Sequence, residues 1–279
     1  MNKADLYRSI IESCDDALRE AFIRRMEAAA PIAQSKIESG SEVYNPENEK
    51  RSIERVCRGV QNEFRPQMLF LWRSFVRMNR GRQYAYFLEN IPGYKLSYEK
   101  YLSDKLPEGA VYCSSKVSDA VKSIYGRDTV ACLDALSALL TGKTSLAAVE
   151  KQNYYDTPDL YTAMLSKNVF VNAFTVTDGG RLLVLLSDRL KDVGENSVIT
   201  VAVATKMDVS GYLAQQMSVL AESGLNIESL ALKTKNIEED EKNNLNVFFA
   251  ELSGGSLYSD RVRTAFLQLE KETPFFKVF

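Results

Sequence analysis

The sequence predicts a multi-domain protein made of an all-α N-terminal part, a small α/β segment and a C-terminal α+β module. Apolar residues recur with a helical period through residues 1–90, and short apolar runs alternate with helical stretches through 108–190. Residues 191–279 follow a β-α-β-β-α-β order. Between the first two parts, residues 91–107 carry two prolines and three tyrosines and indicate a linker.

The composition is that of a folded protein without a strong electrostatic bias. Of the 279 residues, 45% are apolar and 26% are charged, which is enough for two or three modest domains. The formal net charge of −2 gives no overall attraction to nucleic acid or to a membrane, so any anion site must be local. We therefore expect no nucleic-acid or membrane partner.

Other features limit location and chemistry. The N-terminus lacks the apolar core of a signal peptide, and no apolar run approaches the roughly 18 residues of a membrane span, so we expect a cytoplasmic protein. The four cysteines form no C-x-x-C pair and the chain has no histidine. This argues against a metal site and against a histidine-based triad, and we expect no cofactor.

The first helical stretch is unusually long. Its apolar period continues for about eight turns, which suggests packing against a second copy of the chain in a homodimer. Pro31 predicts a kink or break, because proline removes one backbone hydrogen bond and clashes with the carbonyl of Glu27. Gly40 predicts the end of the stretch. The periodic positions are Leu6, Ile10, Cys14, Ala17 or Leu18, Phe22, Met26, Ala29 or Ala30, Ala33 and Ile37.

Two more helices follow within the all-helical part. A polar loop from Ser41 to Asn48 leads into a helix that starts near Glu47 and runs through Phe64. Pro66 then opens a third helix, whose apolar face extends to Met78.

Cations on the first helical stretch predict an anion site. Arg25 and Lys36 lie eleven residues apart, which at 100° per residue is nearly three full turns, so their side chains point the same way. Arg8 lies 17 residues before Arg25, about 100° around the axis, and could serve a pocket on another subunit. The alternative is that these cations form solvated helix faces: Arg24, Arg25 and Lys36 on one, and Arg73, Arg77, Arg80 and Arg82 on the other.

The order of the polar residues resembles the all-helical chorismate mutase family. That family has a long first helix with Arg and then Arg followed by Lys, a loop ending in an acidic residue, and a third helix closing with S-R-x-x-Q. The matching positions here are Arg8, Arg25, Lys36, Glu49 and Gln83. The resemblance implies that these five residues are catalytic.

Chorismate is a dicarboxylate whose ether oxygen gains negative charge as it rearranges to prephenate, so the reaction needs positioning and hydrogen-bond donors rather than a nucleophile. By analogy with the family, Arg25 and an Arg8 from a second copy would hold the carboxylates. Lys36 and Gln83 would donate to the ether oxygen, and Glu49 would accept from the ring hydroxyl.

Three asparagines depart from the family pattern, and we take them as candidate substrate-binding residues. Asn45 and Asn48 stand where the family usually has Asp and Arg, and Asn79 replaces the usual Ser. Losing that arginine removes a charge-assisted contact, which typically stabilises by about 1.5–3 kcal/mol, so slow turnover is expected.

Residues 108–190 resemble the first lobe of prephenate dehydratase with altered motifs. Cys113 to Ser118 replaces G-P-E-G-S-F-S, Glu150-Lys151-Gln152 replaces E-N-S, and Gly180-Arg181-Leu182 replaces T-R-F. Because Gly180 lacks the threonine hydroxyl and the segment is shorter than the family's, we expect a degenerate spacer; an active bifunctional enzyme making phenylpyruvate is the alternative. The predicted elements are a strand at 110–112, helices at 118–125 and 133–140, and a strand at 145–149.

The order of elements in the last segment is that of a ferredoxin-like module. Strands are predicted at 197–205, 225–235, 245–252 and 275–279, with helices at 209–222 and 259–272 and a charged hairpin loop at 236–244.

This module resembles the ACT domain that ends prephenate dehydratases. Ser210-Gly211-Tyr212-Leu213 stands in place of G-A-L, and Gly224-Leu225-Asn226-Ile227 in place of G-I-N-L. The resemblance implies that an amino acid such as phenylalanine binds between two such domains, with Gly211, Leu213 and Asn226 as candidate effector-binding residues. Because the second motif, E-S-R-P, reads Ala231 to Thr234, a purely dimerising module is the alternative.

The sequence as a whole predicts a dimeric chorismate mutase of aromatic amino acid (phenylalanine and tyrosine) biosynthesis. Its substrate is chorismate, and its regulator is a C-terminal ACT domain. The alternative from a different class is a non-catalytic dimer that senses an amino acid and uses its helices only to dimerise.

Overall fold

A computed structural model describes residues 2–150, 165, 167–192, 194, 198–206, 211–234 and 245–279. The chain divides into two compact units. Unit 1 comprises Met1–Tyr94 with Ala214–Val219, and unit 2 comprises Lys95–Leu213 with Leu220–Phe279.

Unit 1 contains four helices in its N-terminal part: α1 (Lys3–Glu27), α2 (Ala29–Ser39), α3 (Pro46–Cys57) and α4 (Arg65–Asn90). The predicted break is confirmed, because α1 ends at Glu27, the residue whose carbonyl Pro31 would clash with. Gly40 ends α2 in the left-handed conformation, with φ of 64°, which glycine adopts without steric cost.

The helix α4 forms the centre of this part of unit 1. Helices α2 and α3 both pack along it, and α1 contacts it near its own C-terminal end, where the rings of Phe22 and Phe75 lie 5.8 Å apart. Ala29 and Ala33 on α2 are fully buried.

Helix α1 has no buried residue. Its N-terminal end is well capped, since the Asn2 side chain accepts from Ala4 N and the Asp5 side chain accepts from Asn2 N. Large apolar side chains are nevertheless exposed along it, namely Leu6, Tyr7, Ile10, Ile11, Leu18 and Ile23.

The predicted second helix is shorter than expected. It starts at Pro46 but ends at Cys57, so Val60 and Phe64 lie outside it. Arg58 adopts an extended conformation and Gly59 has φ of 81°, and both are incompatible with a continuing α-helix. The next helix begins at Arg65, one residue before Pro66.

Most of the predicted linker 91–107 is packed within unit 2. Leu96 and Tyr98 are buried, and the Tyr98 hydroxyl donates to the carbonyl of Leu257 over 3.0 Å. The segment contains a 3₁₀ turn at Glu99–Tyr101 and strand β1 (Leu102–Ser103), which pairs in parallel with β7 (Leu190–Lys191).

The α/β segment forms a five-stranded sheet in the order β3-β2-β4-β6-β5. The strands are β2 (Val111–Cys113), β3 (Thr129–Ala131), β4 (Leu146–Glu150), β5 (Phe170–Val176) and β6 (Leu182–Ser187). Strand β2 pairs in parallel with β3 and β4, whereas β4, β6 and β5 are antiparallel. Helix α5 (Ser118–Tyr125) has the predicted bounds, while α6 (Ala135–Leu140) starts two residues later than predicted because Asp134 caps it.

The C-terminal module has the predicted β-α-β-β-α-β order. Its elements are β8 (Ile199–Lys206), α7 (Tyr212–Glu222), β9 (Asn226–Thr234), β10 (Leu245–Ser253), α8 (Asp260–Glu272) and β11 (Phe276–Val278). The four strands form an antiparallel sheet in the order β11-β8-β10-β9. The predicted hairpin loop 236–244, Ser197, Val209 and Ser210 lie outside the described residues.

The α/β segment and the C-terminal sheet share one hydrophobic core. Val184 and Leu186 of β6 belong to the same buried cluster as Ala202, Phe249 and Phe279. Residues 108–190 and most of 191–279 are therefore parts of one unit. Of the described helices, none combines the length and apolar content that a membrane crossing requires.

Candidate functional site

Arg25 lies in the last turn of α1, against α4. Its guanidinium carbon lies 4.8 Å from the centre of the Trp72 ring, and its Nε is buried without a hydrogen-bond partner among the described residues. Partial burial lowers the pKa of Arg25, and the positive charge of Arg55 lowers it further. Trp72 is itself held by a hydrogen bond from its Nε1 to the Ser52 hydroxyl on α3 (3.1 Å).

Lys36 lies on α2 and faces the loop that follows it. Its Nζ donates to the carbonyl oxygen of Val43 over 2.6 Å. Partial burial lowers the pKa of Lys36, and the charge of Arg80 on α4 lowers it further. Lys36 and Arg80 are therefore close enough to repel each other.

Glu49 in the first turn of α3 forms an ion pair with Arg80. Both side chains are largely buried, with 17% of Glu49 and 9% of Arg80 exposed. The guanidinium carbon of Arg80 also lies 5.1 Å from the centre of the Tyr44 ring. A buried carboxylate and guanidinium hold each other in a fixed orientation when their hydrogen bonds are charge-assisted.

Asn79 and Gln83 are buried on the same face of α4. Asn79 Nδ2 donates to the carbonyl oxygen of Arg25 (2.9 Å), and Gln83 Nε2 donates to Asn79 Oδ1 (2.8 Å). Gln83 Oε1 is buried without a hydrogen-bond partner in the part of the chain that the structure describes.

The helices α1 to α4 pack so that four of the five predicted catalytic residues are buried or half-buried: Arg25, Lys36, Glu49 and Gln83. Arg8, the fifth, is exposed near the start of α1 and forms an ion pair with Asp5 over 3.3 Å. No contact within the described ranges joins Arg8 to the other four.

Asn45 and Asn48, predicted to bind substrate, make local contacts at the start of α3. The Asn45 side chain accepts from the backbone N–H of Asn48 over 3.0 Å and so caps the helix. The Asn48 side chain accepts from Arg51. Both asparagines are exposed, and the described contacts do not join them to the buried cluster.

Sequence reasoning did not include Arg80 among the candidate site residues and named it only in the alternative of a solvated helix face. A signal was present, because Arg80 precedes Gln83 by three residues and must lie on nearly the same side of α4. Among the described residues, the cluster therefore brings the cations Arg25, Lys36 and Arg80 near the carboxylate of Glu49, with Arg55 as a further cation beside Arg25.

The residues aligned with dehydratase motifs have structural roles. Gly180 has φ of 73° in the turn between β5 and β6, and its N–H donates to the Thr177 carbonyl over 2.8 Å. Arg181 pairs with Glu150 over 3.0 Å. The Ser118 and Thr129 hydroxyls lie 2.6 Å apart. Lys151 and Gln152 lie outside the described residues.

The three candidate effector residues lie at the start of α7 and at the start of β9. Gly211 is exposed with φ of 77° immediately before α7, and Leu213 on α7 is half-buried. Asn226 is exposed and donates to Glu228 (2.8 Å); hydrogen bonds from Ser253 and Asn226 lower the pKa of Glu228. Within the described ranges no hydrogen bond joins Asn226 to Gly211 or Leu213.

Cations gathered around one carboxylate on the buried face of an all-α domain attract negative charge, so this arrangement can bind a small anion. Residues 7–84 match the family described as chorismate mutase type II. The N-terminal helices therefore contain a chorismate mutase type II domain. No curated protein matches the chain significantly.

Several solved structures resemble the chain in part. GqqA, described as a novel type of quorum quenching acylase, has a TM-score of 0.48 and 15% identity over 62% of this chain and 93% of its own. Prephenate dehydratase from Arthrobacter aurescens in complex with L-Phe has a TM-score of 0.47 and 11% identity over 61% and 89%. Prephenate dehydratase from Streptococcus mutans has a TM-score of 0.45 and 11% identity over 62% and 95%. At these TM-scores the likeness assigns no activity to this chain.

Proposed function

We propose that the helical domain catalyses the rearrangement of chorismate to prephenate. The observation that carries the proposal is the excess of positive charge in the cluster. Arg25 and Lys36 are half-buried, and Arg80 is largely buried beside the single carboxylate Glu49. Burial lowers the pKa of Arg25 and of Lys36, and the positive charges of Arg55 and Arg80, respectively, lower them further, so the cations repel one another. A dicarboxylate relieves this repulsion.

Each residue then has a chemical role. Arg25 binds a carboxylate, and its unpartnered Nε–H leaves donor capacity for it. Lys36 and Gln83 donate to the ether oxygen, where negative charge develops, and Glu49 accepts from the ring hydroxyl. Arg80 holds the Glu49 carboxylate in a fixed orientation. No cofactor takes part, because the bond changes are confined to the substrate.

The site is completed by a second copy of the chain in this proposal. The exposed apolar residues along α1 support a homodimer, since burying such side chains typically stabilises by about 1.5–3 kcal/mol each. Arg8 lies three residues before Ile11 and four before Glu12, all exposed on α1. In the dimer, α1 would carry Arg8 to the site of the other subunit.

Unit 2 has a regulatory rather than a catalytic role in this proposal. Gly180 occupies a turn that needs positive φ and offers no hydroxyl, which supports a degenerate dehydratase-like segment. The C-terminal module would be an ACT domain that takes an amino acid such as phenylalanine, in a cytoplasmic enzyme. Supplying prephenate and assaying phenylpyruvate tests the first point, and a thermal shift with phenylalanine tests the second.

A chorismate consumption assay with matched variants tests the mutase function. Arg25→Ala and Lys36→Ala should each lower kcat/KM at least about a hundredfold, the range seen when a key transition-state donor is removed. Arg24→Ala is the control for Arg25, because Arg24 is its neighbour in sequence but is 81% exposed. Lys50→Ala, also at an exposed position, is the control for Lys36.

Unchanged rates in both Arg25→Ala and Lys36→Ala would rule out this site. A parent protein that leaves chorismate unconverted would favour the non-catalytic dimer instead.

A further inference from the structure

Two buried amides on α4 form a directed chain of hydrogen bonds that starts at the backbone of Arg25. A carbonyl oxygen can only accept, so the Arg25 carbonyl fixes which end of the Asn79 amide faces α1. Asn79 must then turn Oδ1 towards Gln83, and Gln83 must turn Nε2 towards Asn79. The direction of the second hydrogen bond is therefore set by the first.

The Arg25 carbonyl, where this series of hydrogen bonds starts, lies near the end of α1. Arg25 is two residues before Glu27, the last residue of α1, and the carbonyls of a last helical turn need partners from outside the helix. The break that Pro31 imposes thus places an anchor for Asn79 beside the site.

The Gln83 amide is held by one N–H of Nε2, while its second N–H and its Oε1 remain available. One N–H of its Nε2 goes to Asn79, which leaves a second N–H unused, and its Oε1 is buried without a partner among the described residues. Buried polar groups without partners are rare in folded proteins. An amide fixed in this way is arranged to meet a ligand rather than to stabilise the fold.

Asn79, in contrast, directs both of its polar atoms at protein groups. Its Oδ1 accepts from Gln83 and its Nδ2 donates to Arg25, and the residue is 9% exposed. These contacts do not support the substrate-binding role that its position in the sequence suggests.

We propose that Asn79 is a positioning residue that sets the direction of the Gln83 amide and does not itself bind substrate. The proposal rests on the mutase function proposed for this site. A serine hydroxyl can either donate or accept, so serine at this position leaves the Gln83 amide free to turn over. Asparagine removes that freedom, because the Oδ1 that it presents can only accept. Gln83 Nε2 is then kept in place, and its second N–H is the donor proposed for the ether oxygen.

Steady-state kinetics of the full-length chain with chorismate test this in a double-mutant cycle of Asn79→Ala and Gln83→Ala. Asn79→Ala alone should lower kcat about tenfold and leave KM within about twofold, because only transition-state stabilisation is lost. In the Gln83→Ala background the same change should lower kcat by less than about twofold, since Asn79 then has nothing to position. Asn90→Ala is the control, as Asn90 is an exposed asparagine on α4 that donates to the Tyr86 carbonyl.

Thermal unfolding of each variant checks that it is folded at the assay temperature. If Asn79→Ala is unfolded at the assay temperature, Asn79→Ser replaces it in the double-mutant cycle. The expected pattern is the same, with a smaller loss of kcat. A rise in KM, or an equal loss of activity in both backgrounds, would show that Asn79 acts on the substrate directly and would overturn the proposal. An inactive parent would instead overturn the mutase function, and this proposal with it.

Discussion

At the scale of single residues, spacing along one helical stretch predicted a shared direction for Arg25 and Lys36, but not the groups beside them. Both side chains are half-buried, yet they lie on two helices, and the neighbouring cation is Arg55 for Arg25 and Arg80 for Lys36. The spacing to Gln83 indicates which side of α4 carries Arg80, but not its burial or its partner, because both depend on how α3 packs against α4. An arginine that pairs with a buried Glu49 looks, in sequence, like any other arginine of a charged helix.

Asn45 shows a second limit at this scale. Its place in the family pattern suggests a substrate contact, yet asparagine is also among the best residues for starting a helix. The structure shows the capping role, with Asn45 Oδ1 accepting from the Asn48 N–H. A residue type with two common uses cannot be assigned from its position alone.

The lowered pKa of Lys36 predicts how activity depends on pH. In the proposed mechanism Lys36 must be protonated to donate a charge-assisted hydrogen bond to the ether oxygen, and burial lowers its pKa in the folded protein below the ordinary 10.5. The kcat/KM profile should therefore fall on its alkaline side at a lower pH than an ordinary lysine would give. Folding disfavours the charged form, so the part of the stability that depends on Lys36 should increase as pH rises through its folded pKa towards 10.5.

The measurement is kcat/KM against pH for the parent and for Lys36→Arg, which stays charged throughout. The variant should be less active near neutrality but should lose the alkaline decline. An identical decline in both proteins would assign it to another group.

At the scale of elements, residues that force a backbone conformation gave the most accurate boundaries. Pro31 and Gly40 placed the end of α1 and the end of α2 correctly. The end of α3 was predicted wrongly, because the apolar period continues through Val60 and Phe64 after the backbone has left the helix at Arg58. Periodicity describes which residues are apolar, whereas Gly59 with φ of 81° decides where the helix stops.

The apolar side of α1 predicts a dimer on which activity depends. Ile11→Glu places a charge among exposed apolar side chains and should shift the protein towards monomer. Because Arg8 is proposed to act on the other subunit, kcat/KM should fall at least about tenfold and recover in part at higher protein concentration. Light scattering after size-exclusion chromatography and kinetics at several protein concentrations measure both effects.

Asp16→Ala, on the polar side of the same helix, is the matched control and should change neither the oligomeric state nor kcat/KM. A parent chain that is monomeric and fully active would contradict both the dimer and the role of Arg8.

At the scale of the whole molecule, the sequence predicted the order of elements but not how they share a core. The β-α-β-β-α-β order at the C-terminus was predicted correctly, since alternating apolar runs and turn residues are local signals. The boundary at 190/191 separates strands whose side chains meet in one cluster, such as Leu186 and Ala202. The apolar sequence of a strand predicts that the strand is buried, but it does not predict which sheet or helix packs over it.

The connector after α4 gives a test at this scale. Its composition predicts a linker, yet Glu99 pairs with Arg263 of α8 over 2.6 Å and also accepts from the Leu96 N–H over 2.7 Å. Only 12% of the Glu99 side chain and 22% of the Arg263 side chain are exposed. Glu99→Ala leaves the largely buried guanidinium with the exposed Asp260, 3.6 Å away, as its ion-pair partner, so the free energy of unfolding of unit 2 should fall by about 2 kcal/mol.

Chemical denaturation followed by a signal from unit 2 measures this change, with Glu108→Ala as the control because Glu108 is exposed nearby in the chain. The mutase rate should stay unchanged below the unfolding transition, since Glu99 belongs to the other unit. A flexible linker would tolerate Glu99→Ala as readily as Glu108→Ala, so equal stabilities would show that the contact with α8 contributes nothing. A loss at Glu99 alone would show that unit 2 begins at Lys95, well before the strands of its sheet.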